Sequence, residues 1–412
     1  MHRRLKVAVL CHFPPIWFER YGVNFHAASV QGELSNGAFS TVEGSLIEAL
    51  ANEDAVDLEV ITFSKGVRRS QTVSLTPHAR LHVLRPLFAS GMPVAWMPRY
   101  LKVRALLREL QPDLVHGIRN IEGYGYFAAF SGFPNVVTPQ EFLRNIPRPA
   151  YLEIPFQIAQ VLESLTLRRA RYVVAISRCV QQWVEKRSSA EIFIIPNSAA
   201  AVFFNVEKEQ NPEGVLFVGR ISPEKGLMDL LQALEIAAGR GVIIPAKIVG
   251  GASGVSDRHW RECQSFAREH LRPGQADFLG WQGTEAIANL HAKCAVFAMP
   301  SLAPYETMGV VLAESLAAGT PAVVYDFGPM PTVILHGKTG LVVPAGDIIA
   351  FSNALIELIT DGARRNTFST NARAASKVYR GSNLAKKHLD VYSGIAMKAG
   401  DRRSSSRSKG PA

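Results

Sequence analysis

Long apolar runs are missing from this 412-residue chain. No uninterrupted stretch approaches the ~20 residues needed to cross a bilayer. The amino-terminal run, Val7 to Cys11, is too short for the core of a secretory signal, and no small-residue cleavage pattern follows it. The expectation is a cytoplasmic protein, with peripheral contact at the inner membrane face the one bilayer role left open. Cysteine is scarce as well. Cys11, Cys179, Cys263 and Cys294 lie far apart with no C-x-x-C spacing, so neither zinc nor a disulfide framework is indicated and buried reduced thiols are expected. Asp-x-Asp does not occur, so no pair of carboxylates stands ready for a divalent cation, and no metal site is expected. Asp57 and Glu59 have a similar spacing but fall at the amino end of a strand, the wrong end for a ligand. Glu207 and Glu209 fall in a polar connector. Charge is modest, 19% against 47% hydrophobic residues, which suits packed domains and not a disordered chain. Acid is short of base: 45 Lys plus Arg against 35 Asp plus Glu leaves +10. That balance favours anionic partners, whether nucleotide phosphate, lipid phosphate or nucleic acid, without choosing among them.

What is present is alternation. Short runs rich in Val, Ile and Leu (LKVAVLC, DLEVITF, DLVHGI, NVVTP, YVVAIS, EIFIIP) alternate with amphipathic segments such as TVEGSLIEALANE and QIAQVLESLTLRRA. Near-continuous apolar strands of this kind belong to parallel sheets covered on both faces. NVEKEQNPEG then breaks the texture, and the alternation restarts with GVLFVG, PAKIVGG, QADFLG, CAVFAMP, PAVVYD and TGLVVP. The spacing predicts an α/β protein of two doubly wound, Rossmann-like domains with a ligand cleft between them. The boundaries read as a first domain over 1–205, a linker over 206–213, a second domain over 214–378 and a helix over 379–398. Residues 399–412, rich in Ser, Arg and Lys, read as a disordered basic tail serving solubility, with no nucleic-acid partner expected.

The densest chemistry lies in PSLAPYETMGVVLAESLAAGTP, Pro300 to Pro321. CAVFAMP reads as a buried strand and Met308–Ala318 as the helix after it. Glu306 then sits in the strand-to-helix turn and Glu314 ~12 Å further along the helix axis. Free N–H groups at the helix start make an anion site between them. A carboxylate accepts two hydroxyl hydrogens at once, so the layout suits a nucleotide sugar, with diphosphate on the amides and hydroxyls on the glutamates. VLFVGRISPEKGLMDLLQAL offers the matching cations. Its strand ends at Gly219, and Arg220 and Lys225 flank the turn that opens the next helix. Arg is a two-pronged donor and Lys a compact charge, both suited to a diphosphate leaving group. The plainer alternative pairs Arg220 with Glu224 and leaves Lys225 on a solvated first turn.

GRISPEKG (Gly219–Gly226), PSLAPYETMGVVLAESLAAGTP with Glu306 and Glu314, and HGKTGLVVPAGD (His336–Asp347) together resemble a family-4 retaining glycosyltransferase, also called group 1, of GT-B fold. In the first half PDLVH, ending at His116, and IIPN, ending at Asn197, resemble the family more loosely, and Asn36 and Gly37 stand where its members often carry a Gly-Gly loop on the acceptor side. The resemblance implies sugar transfer from an NDP-sugar, here a substrate and not a cofactor, to a glycan or lipid-linked acceptor in polysaccharide or glycolipid synthesis, with anomeric configuration kept. By position, Arg220 and Lys225 would hold the diphosphate, Glu314 the ribose hydroxyls, and Glu306 the donor sugar, with Gly219 nearby. The amides of Thr307, Met308, Gly309 and Val310 would complete the phosphate nest. Same-face attack needs no carboxylate nucleophile, so stabilisation of the leaving group becomes the main catalytic contribution, without metal.

Other residues carry weaker signals. The resemblance brings His116 toward the donor sugar, although a lone strand-end His is more often structural and the motif's usual second His is Ile118 here. His12, just past the first strand, is a lesser candidate. Thr332 stands where members often have a glutamate that contacts the donor. HGKT is no P-loop, because Thr332 occupies the place of its first glycine. TPQEFLRNIPRPAYLEIPF, with Glu141 and Arg144, reads as an acceptor-side loop. RYLKVRALLREL, with Arg99, Lys102, Arg104 and Arg108, is either an ordinary solvated helix face or a dock on anionic lipid. Two rivals share the fold: a sugar-nucleotide epimerase or phosphorylase, and a non-catalytic partner subunit.

Overall fold

The computed structural model describes residues 3–13, 18–25, 41–87, 96–120, 122–143, 153–251 and 257–407. The chain divides into two compact units. The first runs up to Asn197 and resumes at Gly381; the second runs from Ser198 to Arg380.

The first unit contains β1 (Leu5–Leu10), α1 (Thr41–Ala51), β2 (Val56–Phe63), β3 (Gln71–Thr76), β4 (Ala79–Leu84), α2 (Trp96–Leu110), β5 (Leu114–Ile118), α3 (Tyr124–Ala129), β6 (Asn135–Thr138), α4 (Glu153–Arg169), β7 (Tyr172–Ala175), α5 (Arg178–Glu185) and β8 (Glu191–Ile194). The sheet order is β3-β4-β2-β1-β5-β6-β7-β8, parallel except for β3 against β4. The central strands β1, β5 and β6 are buried on both faces, as their apolar runs predict. The β3–β4 hairpin is absent from the sequence reading. QTVSLT alternates half-buried and exposed residues at the sheet edge, so it lacks the continuous apolar run that marks the others.

In the second unit α6 (Ala201–Phe204) leads to β9 (Val215–Val218), α7 (Leu227–Gly239), β10 (Ala246–Val249), α8 (Asp257–His270), β11 (Ala276–Gly280), α9 (Thr284–Lys293) and β12 (Val296–Met299). There follow α10 (Val310–Ala317), β13 (Ala322–Tyr325), α11 (Met330–Val333), β14 (Gly340–Val343), α12 (Ile348–Thr360) and α13 (Gly362–Ser376). Its sheet is β11-β10-β9-β12-β13-β14, all parallel. The chain builds outward from β9 through β10 to β11, then crosses to β12 on the other side of β9. That reversal makes the β9/β12 border the topological switch point.

Three expectations about organisation need correction. The stretch 206–213 is not a free linker, and 198–205 belongs with the second unit, not the first. Lys208 Nζ donates to the carbonyls of His291 (2.6 Å) and Cys294 (2.7 Å) and to Thr320 Oγ1 (3.2 Å). Glu209 and Glu213 donate backbone N–H groups to Ala292 and Lys293. Burial pushes the Lys208 ammonium down to about 8. The helix expected over 379–398 spans Gly381–Arg407, so residues 399–407 are helical and not a disordered tail; 408–412 lie outside the described residues. This helix, α14, returns to the first unit because Leu384, Ala385, Val391, Tyr392 and Ile395 recur on one face and enter that unit's core. The third concerns RYLKVRALLREL: Arg99 is buried, its guanidinium 5.2 Å over the Phe63 ring, and does not belong to the exposed basic face.

Candidate functional site at a strand switch point

Because β9 and β12 are adjacent, the loops leaving their carboxyl ends meet. Gly219 donates to Val249 O and Ile221 to Gly251 O, each at 3.1 Å, continuing the sheet past the end of β9. A short 3-10 turn over Pro223–Lys225 ends at Gly226, whose φ is +76° and whose Cβ, if it had one, would lie 1.8 Å from Pro300 O. Only glycine satisfies both the left-handed backbone and that approach. Leu302 N–H then donates to Glu224 O at 2.8 Å, so GRISPEKG and PSLAPYETMG are docked backbone to backbone.

The side chains follow. Lys225 Nζ pairs with Glu306 Oε2, the two side chains only 14% and 15% exposed. Gly309, at φ +73° where the chain turns into α10, gives its N–H to Glu306 as well. Burial pushes the Glu306 carboxyl up, but Lys225, the Gly309 amide and Arg220 together outweigh it and hold the group below the ordinary glutamate value. Glu306 is therefore a fixed anion. Arg220 is exposed, its guanidinium 5.2 Å over the Tyr305 ring, with Lys225 Nζ 5.6 Å from the same ring. The alternative partner, Glu224, is engaged elsewhere. It accepts from Tyr305 Oη and, at 2.7 Å, from Ser222 Oγ, and no ion pair reaches Arg220 among the described residues.

Glu314 sits inside α10 and is 7% exposed. No hydrogen bond or ion pair to its carboxyl is present among the described residues, and burial alone raises its pKa to about 8. An acid without a partner in a dry place costs stability unless something with hydroxyls covers it. Thr307, Met308 and Gly309 are buried in the turn, and Val310 opens the helix half-exposed. Arg220, Lys225, Glu306 and Glu314 thus all sit on the two docked loops and the helix that follows, at the switch point of one sheet.

HGKTGLVVPAGD has a structural part. A Cβ on Gly340 would come within 2.1 Å of Ala322 O, so β14 can lie tight against β13, and Asp347 caps α12 by accepting the Ala350 N–H at 2.9 Å. Thr332 donates to Pro329 O at 2.6 Å in the turn of α11. Gly250 was missed, although the GG of PAKIVGG marks it. Its φ is +131°, and a Cβ there would sit 1.8 Å from Gly219 O, so it closes the floor beneath the β9 loop.

In the first unit His116 is corrected from a sugar contact to a core residue. It is fully buried, Nδ1 against Tyr392 Oη and Nε2 against Thr138 Oγ1, both at 2.7 Å. Burial, then the neighbouring His388, pushes its pKa well below the ordinary value. Neither nitrogen is left for a ligand. Asn36, Gly37 and Arg144 lie outside the described residues. The carboxyl edge of this sheet instead gathers charges that the sequence reading largely missed. Arg119, a non-glycine residue at φ +79°, forks onto Glu43 Oε1 at 3.0 and 2.8 Å and reaches Glu141 Oε1 at 3.4 Å. His12 Nδ1 lies 3.3 Å from Glu122 Oε1. Burial lifts the Glu141 carboxyl to about 7 against the pull of Arg119. The available signal was position: His12 follows β1, Arg119 follows β5 and Glu141 follows β6, all at the ligand-binding edge of a doubly wound sheet.

Two doubly wound units, one with cations and glutamates gathered at its switch point, define the GT-B class of sugar-transferring folds. Residues 199–375 match the family described as Glycosyl transferases group 1 and residues 37–198 match the Glycosyl transferase 4-like domain, so the chain belongs to the group 1 glycosyltransferases. It is 28% identical over 234 residues to the phosphatidyl-myo-inositol mannosyltransferase of Mycobacterium leprae (54% of this chain, 59% of that protein). It is 32% identical over 179 residues to the D-inositol 3-phosphate glycosyltransferase of Corynebacterium urealyticum (43% and 42%). The chain thus spans about half the length of these curated relatives. Among solved structures, sucrose-phosphate synthase from Thermosynechococcus elongatus superposes with a TM-score of 0.72 at 17% identity, covering 95% of this chain and 99% of that one. Anabaena HepE in complex with UDP and glucose gives 0.68 at 20%, covering 95% and 100%. At those identities the likeness concerns the fold. No helix among the described residues is long and apolar enough to cross a membrane.

Proposed function

We propose that this protein transfers a sugar from a nucleotide diphosphate donor to a glycan or lipid-linked acceptor, keeping the anomeric configuration and using no metal ion. The reading rests on one observation: Arg220, Lys225 and Glu306 lie on two loops that are bonded to each other at the β9/β12 border, and Glu314 lies in the helix that follows them. The Arg220 guanidinium and Lys225 ammonium face the diphosphate, and the amides at the start of α10 add partial positive charge. Glu314, buried and without a hydrogen-bond partner among the described residues, accepts from the ribose hydroxyls. Glu306, held ionised, accepts from hydroxyls of the donor sugar. The bond from the anomeric carbon to the diphosphate oxygen breaks, and the acceptor oxygen forms its bond on the same face. The acceptor proton passes to the departing phosphate oxygen. The protein's part is electrostatic: charge develops on the diphosphate in the transition state, and fixed cations in a partly dry site stabilise it.

Family membership supports the transferase reading, and the UDP and glucose in the HepE complex make uridine donors the first to try. The test is a thermal-shift screen of UDP-, GDP- and ADP-sugars, followed by acceptor-dependent nucleotide release and NMR of the product linkage. A product of inverted configuration, or activity abolished by chelator and restored by divalent ions, would contradict the mechanism. Nucleotide release without acceptor would favour an epimerase instead.

A further inference from the structure

Three neighbouring strands of the first sheet, β1, β5 and β6, run parallel, so the residues that follow them share one carboxyl edge. His12 follows β1, Arg119 and Glu122 follow β5, Glu141 follows β6, and Glu43 reaches in from the first turn of α1. None of these belongs to the donor site.

Charge at this edge is balanced within itself. The Arg119 guanidinium is engaged by Glu43 and Glu141, and His12 faces Glu122 at 3.3 Å. Burial pushes the His12 imidazole down, but Glu122 outweighs it and holds the group above its ordinary value. Burial likewise pushes the Glu122 carboxyl up, but His12 and Arg119, with a smaller pull from Arg99, bring it down to about 2. Three cations thus meet three carboxyl groups, and among the described residues no further cation stands at this edge to neutralise a phosphate.

Hydrogen bonding, by contrast, is incomplete. His12 Nε2, Glu122 Oε2 and Glu141 Oε2 are shielded from solvent and have no hydrogen-bond partner among the described residues. Buried polar atoms in that condition cost stability unless a ligand covers them. A group carrying several hydroxyls suits all of them, because a hydroxyl both donates and accepts. Arg119 itself sits at φ +79°, a strained backbone that the carboxylates around its side chain hold in place.

We propose that this edge binds the acceptor, and that the acceptor unit receiving the sugar is an uncharged polyol ring, with any phosphate of a lipid-linked acceptor lying away from it. His12 Nε2 and the Oε2 atoms of Glu122 and Glu141 take its hydroxyls. The word acceptor rests on the transferase reading. The preference for a neutral, hydroxylated ligand rests on this edge alone.

The test is saturation-transfer NMR of the full chain with methyl α-glucoside, methyl α-mannoside, methyl α-galactoside and myo-inositol, each beside its phosphate monoester. UDP, GDP and ADP are titrated in parallel by calorimetry. Expected is that at least one neutral ring binds, at least ~tenfold more tightly than its phosphate ester, since a dianion would meet carboxylates without a cation of its own. Glu122→Gln should weaken that ring at least ~tenfold, because a charged hydrogen-bond acceptor is replaced by a neutral one. His12→Gln, which removes Nε2, should weaken it as well. Both variants should keep the wild-type circular dichroism and nucleotide affinity. A phosphate ester that binds as tightly as its ring, silence of every neutral ring, or ring binding by both variants equal to that of the wild type would overturn the proposal. Nucleotide binding without ring binding sinks the proposal alone, and ring binding without nucleotide binding sinks the transferase reading alone.

Discussion

Lys225 and Glu306, 81 positions apart in the chain, form one ion pair across the two loops of the switch point, and the Gly309 amide holds the glutamate from its other side. The pair is structural and electrostatic at once. It ties the β9 loop to the β12 loop, and it places an ionised carboxylate beside a cation that can turn to a diphosphate. Lys225→Ala would leave Glu306 buried and unpaired, so a loss of about 3 kcal/mol in stability is expected from denaturant unfolding. Turnover per folded molecule should fall ~10²–10³-fold, the cost typical of deleting one preorganised electrostatic contact. Arg220→Ala, at an exposed position, should cost turnover with little loss of stability.

Glu314 gives a pH signature. Its folded pKa, about 8, lies above the ~4.3 of an unfolded glutamate. Between those values the folded state holds a proton that the unfolded state has released, so this group's contribution to stability falls as pH rises through the window and is flat above it. Glu141 and Glu163, each raised to about 7 by burial, act in the same direction, so the total slope belongs to all three. The comparison with Glu314→Gln isolates one of them. The variant should be more stable than the wild type at pH 8 and nearly equal to it at pH 4, by thermal melts across the range. Nucleotide-sugar affinity should nonetheless fall ~10-fold or more, because the amide offers one acceptor oxygen where the carboxyl group offers two.

Gly226→Ala changes no charge and should act through the backbone alone. The new Cβ would meet Pro300 O and strain a left-handed residue, at about 3 kcal/mol or more. It would also push apart the loops that carry Lys225 and Glu306. Loss of donor binding in the fraction that remains folded is the expected result, measured by thermal shift with and without ligand. Gly239→Ala, where nothing lies within 4 Å, is the control and should be neutral or stabilising.

His116→Asn separates a structural from a catalytic histidine. The substitution disrupts the contacts to Tyr392 and Thr138 and loosens α14 from the first unit. Expected is a loss of about 2 kcal/mol in stability with turnover per folded molecule within a few-fold of wild type. A loss of turnover without loss of stability would restore His116 to the site.

The sequence exposes elements whose burial is continuous and hides those held by single polar contacts. Strands such as VLFV and LVHGI are rich in Val, Leu and Ile and buried along nearly their whole length because both faces are covered, so they are legible. QTVSLT is half-buried at an edge and is not. NVEKEQNPEG looks like a linker because its composition is polar, yet Lys208 reaches three acceptors that no local pattern predicts. The placing of Arg220, Lys225 and Glu306 on the loops that follow two strands, and of Glu314 in the helix after them, was legible because those loops and that helix follow directly on apolar strands. His116 shares the position but not the fate, since its burial depends on Tyr392, 276 residues away.

The most direct test is calorimetric titration of UDP, GDP and ADP into the wild type and the variants Arg220→Ala, Lys225→Ala, Glu314→Gln and His116→Asn. A donor site at the β9/β12 border requires that one nucleotide bind the wild type and His116→Asn alike, and each of the other three at least ~tenfold more weakly. Equal binding by all of them would contradict it.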